Sequence, residues 1–173
     1  MALVIRGGCH DGRVYISAKV DYATRVLLVL AAAPDGRPIK GETLATQQNL
    51  PVKFVENTLV DLRRSGLVTS QRGPDGGYRL ARPAKEIAVG DIIRALEGPL
   101  AEVHGLRPEA AVYEGPAANL QEVWVAVRAA LRLVLDSVML ADIVEGRLPE
   151  QVAKLLAAPD AWEPRPLGGL NRG

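Results

Sequence analysis

Apolar residues in this chain recur at helical spacing, then briefly at strand spacing, then at helical spacing again. Val20, Ala23, Val26, Leu27 and Leu30 share one stripe behind Ser17, a side chain suited to accept from free N–H groups at a helix start. The helix should stop by Ala33, because Pro34 disfavours helical geometry in the residue before it. A short helix is expected over 41–48 on Leu44 and Ala45, and a longer one over 52–65 on Val55, Leu59 and Leu62. Asn49-Leu50-Pro51 forms the turn between them, and Gly66 stands where a helix C-cap wants positive φ. Two strand-like runs, 67–71 and 78–81, flank Arg72-Gly73-Pro74-Asp75-Gly76-Gly77, in which Pro presets φ and Gly takes positive values. Helix, turn, helix, hairpin is the layout of a winged helix-turn-helix.

Further on, 87–89 reads as an extended lead into a helix over 91–97, with Ile92, Ile93 and Leu96 inward and Gly98-Pro99 as the stop. Gly105, Pro108, Gly115 and Pro116 make 100–116 a loop. From 117 to 145, Leu120, Trp124, Val127, Leu131, Val134, Val138 and Ala141 alternate at steps of four and three, a heptad seam. One helix over that span would be roughly 43 Å long. Leu133, Leu135 and Met139 add more apolar surface than one small domain covers. The expectation is a homodimer through Leu120, Trp124, Val127, Leu131, Val134 and Val138; packing on its own domain is the alternative. A last helix is expected over 148–157, on Val152, Leu155 and Leu156, before a proline- and glycine-rich tail.

The predicted fold is mainly α with a small β-hairpin wing: a winged helix-turn-helix plus a long C-terminal dimerisation helix. Its expected parts are a disordered extension (1–14), the DNA-binding domain (15–99), a linker loop (100–116), the dimerisation helix (117–145), and a short helix with a flexible tail (146–173). The extension has no periodic pattern and is expected to be dispensable.

Composition changes this picture little. The 173 residues are 48% hydrophobic and 24% charged, ordinary for a soluble globular protein. A net charge of +1 does not announce nucleic acid, but its distribution is uneven. Between residues 53 and 82, Lys53, Arg63, Arg64, Arg72, Arg79 and Arg82 outnumber Glu56, Asp61 and Asp75 by three. The single cysteine, Cys9, excludes an intrachain disulfide. The apolar run 26–33 is far short of a membrane span, so a cytoplasmic protein without membrane contact is expected.

The run GLVTSQRGPDGGYRLARP, followed by IAVGDIIRALEGPL and preceded by Tyr15-Ile16-Ser17 and Asp21-Tyr22-Ala23-Thr24-Arg25, resembles the Rrf2 family of bacterial transcription regulators. That family includes iron–sulfur, nitric-oxide and cysteine-metabolism regulators. The resemblance implies sequence-specific binding of double-stranded DNA, read here as repression at a near-palindromic operator. In a winged helix the first turn of the second helix meets base edges, which here are Val52, Lys53, Phe54 and Asn57. Lys53 suits guanine acceptors or phosphate, and Asn57 suits an adenine edge; either is equally readable as a solvated surface residue. The wing would add Arg72, Gly73, Gly76, Gly77, Tyr78 and Arg79, with Arg72 reaching a minor groove and the glycines letting backbone lie close to DNA. Lys19, Tyr22 and Arg25 are candidates for phosphate contacts.

Many members of the family hold an iron–sulfur cluster on three cysteines in the loop before the long helix. Here 100–116 has no cysteine and one soft ligand, His104. Asp21 matches the place where a nitric-oxide-sensing relative has a cluster carboxylate. One carboxylate and one histidine are far from the thiolate set a cluster needs, so no cofactor is expected. Cys9-His10-Asp11 offers three ligand types in a row, but it lies in the short, unpatterned extension, and no metal is expected there. Input could then come from a small molecule near Trp124, Tyr113 and His104, from a protein partner, or be lacking altogether; Trp124 on the seam reads more simply as core. A module used only for protein assembly is a rival reading, but it does not call for Lys53, Asn57 and Arg72 on the exposed edge. An enzyme is excluded by the lack of any nucleophile–base pair.

Overall fold

The computed structural model describes residues 16–163; the expectations for the extension and for the end of the tail fall outside them. Helix α1 spans Ala18–Ala31, and the Ser17 hydroxyl caps it by accepting from Val20 N at 3.2 Å. Helices α2 (Gly41–Gln48) and α3 (Val52–Arg64) follow, joined through Asn49, whose φ of +52° turns the chain. Strands β1 (Val68–Gln71) and β2 (Gly77–Leu80) pair antiparallel, with Ser70 opposite Tyr78 and Gln71 opposite Gly77. Helix α4 covers Val89–Glu97. These bounds lie within two residues of the predicted ones.

One core joins these elements. Val26, Leu27 and Leu30 of α1, Leu44 of α2, and Val55, Leu59 and Leu62 of α3 meet Val68, Ile87 and Ile92, all essentially without solvent contact. The α1 and α3 stripes are therefore two sides of a single apolar interior, which fixes the outward face of α3.

The C-terminal third departs from prediction. The single helix expected over 117–145 is two: α5 (Leu120–Leu135) and α6 (Leu140–Glu145). Between them the backbone leaves the helical ladder. Val138 O accepts from Val89 N at 3.0 Å, and Leu140 N donates to Ile87 O at 3.0 Å. Asp142 accepts from Met139 N at 2.8 Å and so starts the new helix. Leu140, off the heptad seam, lies in the core beside Ile87 and Ile92. α5 itself, about 24 Å long, contains no buried residue. The last helix, α7 (Glu150–Leu156), buries Val152 and leaves Leu155 and Leu156 exposed.

Candidate nucleic-acid interface

Because α3 turns Val55, Leu59 and Leu62 inward, its first turns present Val52, Lys53, Glu56 and Asn57 to solvent. The Lys53 side chain is 84% exposed, with Nζ 3.6 Å from Glu56 Oε2. Phe54 is half-buried. Its ring meets Tyr22 edge-on, with centroids 5.1 Å apart.

The α1 candidates are engaged inside the protein. The Arg25 guanidinium lies 5.6 Å from the centre of the Tyr22 ring and 3.6 Å from Asp21. It donates to the carbonyl of Gln48, and its Nε donates to Gln48 Oε1 at 3.2 Å. Gln48 ends α2, where carbonyls lack helical partners, so Arg25 caps that end. Arg25, Tyr22 and Phe54 thus brace the turn that aims α3. Lys19 Nζ sits 2.8 Å from Asp61 Oδ2 of α3, and its hydrogen bond holds the Asp61 carboxyl below the usual range, with the charges of Lys19 and Arg64 adding to it.

In the wing, Arg72 is exposed at the tip and Gly73 has φ of +112° with open space around it. Arg79 Nε reaches Thr69 Oγ1 at 3.4 Å across the hairpin, and Arg63 of α3 reaches Ser70 Oγ at 3.4 Å. The other two glycines serve the hairpin's own closure. A Cβ on Gly76 would strike the carbonyls of Gln71 and Gly73, and one on Gly77 would strike the backbone of Ile39. Close approach to DNA is therefore not needed to explain them.

Ile39 is what the sequence pattern missed. It bonds Tyr78 in both directions, at 2.9 and 2.8 Å, as a one-residue third strand. This brings Arg37 and Lys40, both exposed, alongside β2. The only advance signal was a β-branched residue between Pro38 and Lys40 ahead of α2.

Among the residues expected to pair with a second copy, Leu120, Trp124, Leu131 and Val134 are half-buried and Val127 is 40% exposed. Val138 is a correction: it is buried within its own chain, where its backbone bonds Val89. The loop 100–116 is fastened to α5. Trp124 Nε1 donates to Tyr113 Oη at 3.1 Å, Gln121 Nε2 donates to the Glu109 carbonyl at 2.9 Å, and Arg128 pairs with the Glu109 carboxylate. The Glu109 backbone N–H, then Arg128, keep that carboxyl below its usual range. Between α5 and the α1–α4 face runs a groove of about 590 Å³, lined by Val20, Ile93, Pro99, Val103, Trp124 and Leu131 and rimmed by Glu97 and Glu102. Among the described residues, no three His, Cys, Asp or Glu side chains gather as a metal site, and no helix is long and apolar enough to cross a membrane.

Residues 16–146 match the family model Rrf2, described as an iron-dependent transcriptional regulator. The chain is 44% identical to the HTH-type transcriptional regulator Rv1287 of Mycobacterium tuberculosis H37Rv over 158 residues, 91% of this chain and 98% of the relative. It is 37% identical to the HTH-type transcriptional regulator CymR of Bacillus subtilis over 138 residues, 80% of this chain and 95% of CymR. The solved structure of CymR, the global cysteine regulator of B. subtilis, superposes with a TM-score of 0.66 at 36% identity, covering 78% of this chain and 98% of CymR. IscR of T. potens does so with a TM-score of 0.63 at 33% identity, covering 77% and 88%.

Proposed function

Because this chain belongs to the Rrf2 family of DNA-binding transcriptional regulators, we propose that it is a homodimeric repressor that grips a near-palindromic operator without an iron–sulfur cluster. Its place is the cytoplasm, with the DNA. The observation that carries the dimer is α5: sixteen residues, rich in Val and Leu, none of them buried. A helix that apolar needs a partner surface, and a second copy supplies one with twofold symmetry. Two copies of α3 would then enter successive major grooves, with Lys53 and Asn57 at base edges and Arg72 of each wing in the flanking minor groove.

The donor chemistry does not fit a cluster. His104 is exposed on a tight turn, the loop around it has no thiolate, and Cys9 lies outside the described residues. A second reading is favoured by the groove beneath α5: a small apolar molecule there would alter how α5 leaves the DNA-binding head.

Selection of bound DNA from a random pool tests the proposal. A twofold consensus, bound with steep salt dependence by a protein that sediments as a dimer, is the expected result. Arg72→Ala should weaken binding to every selected sequence by about tenfold, whereas Lys53→Ala should shift the consensus itself. Parent-like binding by both variants would remove this surface from contention.

A further inference from the structure

The joint between α4 and the C-terminal end of α5 is built from independent fastenings. After α5 the chain turns at Asp136 and runs beside the segment leading into α4. The Val89–Val138 and Ile87–Leu140 bonds set Ala88 opposite Met139 in an antiparallel bridge. Two bonds along one line leave rotation about that line open. A third contact lies off it: Arg94 Nη2 stands 2.6 and 2.7 Å from the two carboxylate oxygens of Asp136. Asp136 fits there because residue 90 is glycine; a Cβ would collide with Oδ1. The network continues toward the wing. Arg94 Nη1 is 3.6 Å from Asp91 Oδ1, and Asp91 Oδ2 accepts from Arg82 Nη2 at 3.0 Å, two residues past β2. Elsewhere α5 stands off the head across the open groove.

We infer that Arg94 and Asp136, admitted by Gly90, are positioning residues that fix the angle at which α5 leaves the head, and through it the half-site spacing the protein accepts. The inference rests on the homodimer proposed above. In a twofold dimer the arms fix both the separation and the relative rotation of the two heads. One base pair of extra spacing moves a half-site by about 3.4 Å and turns it by roughly 34°. A locked joint rejects that displacement; a joint free to rotate absorbs it. The pair is more than a third exposed, so it adds little to stability. Its consequence is angular selectivity, not raw affinity.

The test uses the full chain and two selected half-sites separated by spacers of graded length. The parent should bind its preferred spacing at least about tenfold tighter than spacings one base pair away. Asp136→Asn and Arg94→Gln should each bring those neighbours within about threefold of the optimum. The double variant should be no more tolerant than either single, because each single already breaks the same two-oxygen ion pair. Affinity for a lone half-site and the unfolding midpoint should not move. A spacing profile as sharp as the parent's would overturn the inference, and so would equal weakening at every spacing and on the lone half-site. A parent that sediments as a monomer, or has no preferred spacing, would overturn the twofold reading and this inference together.

Discussion

Helices α1 and α5 are built from similar stock and meet opposite fates. α1 has fourteen residues and buries five of them: Val20, Ala23, Val26, Leu27 and Leu30. α5 has sixteen, with nine Val, Leu or Trp side chains among them, and buries none. The apolar pattern says which face of a helix wants cover. It does not say whether the cover is in the same chain. For α1 the cover is α2, α3, α4, α6 and β2; for α5 it is a loop, a groove, and lesser contacts with α4 and α7.

The sharpest way to break this contrast is to cut the same number of atoms from each helix. Leu27→Ala, inside a closed core, should cost about 2–5 kcal/mol in denaturant unfolding. Leu131→Ala should cost the head far less and instead weaken self-association. Equal losses at the two sites would mean that α5 is as much core as α1.

The next largest effect comes from a charge on the arm. Leu131→Asp puts a carboxylate on a surface proposed to meet its own copy. Sedimentation should give a monomer, far-UV circular dichroism should be unchanged, and operator affinity should fall about a hundredfold as the second half-site ceases to help. A variant that stays dimeric would move the interface off α5.

The same contrast explains what could be read in advance. Periodicity and turn residues together found α1 to α4 and the hairpin: the stripes face one another, and Pro34, Gly66, the 72–77 turn and Gly98-Pro99 mark where each element ends. Periodicity failed at 136–139. The heptad seam runs through Val138 without a flaw, and no proline or glycine marks the break. The break is made by Val89 and Ile87, about fifty residues earlier, whose backbone groups take partners from Val138 and Leu140. A local pattern has no access to that competition. The site was legible to a similar depth. Lys53, Asn57 and Arg72 are exposed where expected, whereas the bracing roles of Tyr22 and Arg25 and the Ile39 strand depend on contacts across the fold.

A smaller effect sharpens what fastens the arm. Trp124→Phe keeps most of the ring and removes the hydrogen bond to Tyr113, a change of about 0.5–1.5 kcal/mol. Since that bond ties the loop to α5 and not the head to itself, limited proteolysis within 100–116 should speed up while the head's unfolding midpoint stays put. A shifted midpoint with unchanged proteolysis would place Trp124 with the core.

The mildest probe is acid, because it works on one exposed carboxylate in each region. Lys19 holds Asp61 below its ordinary value of 3.8, and the Glu109 backbone N–H with Arg128 holds Glu109 below 4.5. A carboxyl whose folded pKa is lowered contributes stability above its unfolded pKa, and that contribution fades as pH falls through the folded value. Both contributions should therefore be intact at pH 6 and shrink below about pH 4.5. They should be lost to different observables. Asp61 joins α1 to α3, so Asp61→Asn should flatten the acid limb of global unfolding. Glu109 joins the loop to α5, so Glu109→Gln should leave that limb alone and raise amide exchange in 100–116 at neutral pH. If Glu109→Gln alters global unfolding as much as Asp61→Asn does, the arm and the head unfold as one unit, and the difference between α1 and α5 is one of exposure only.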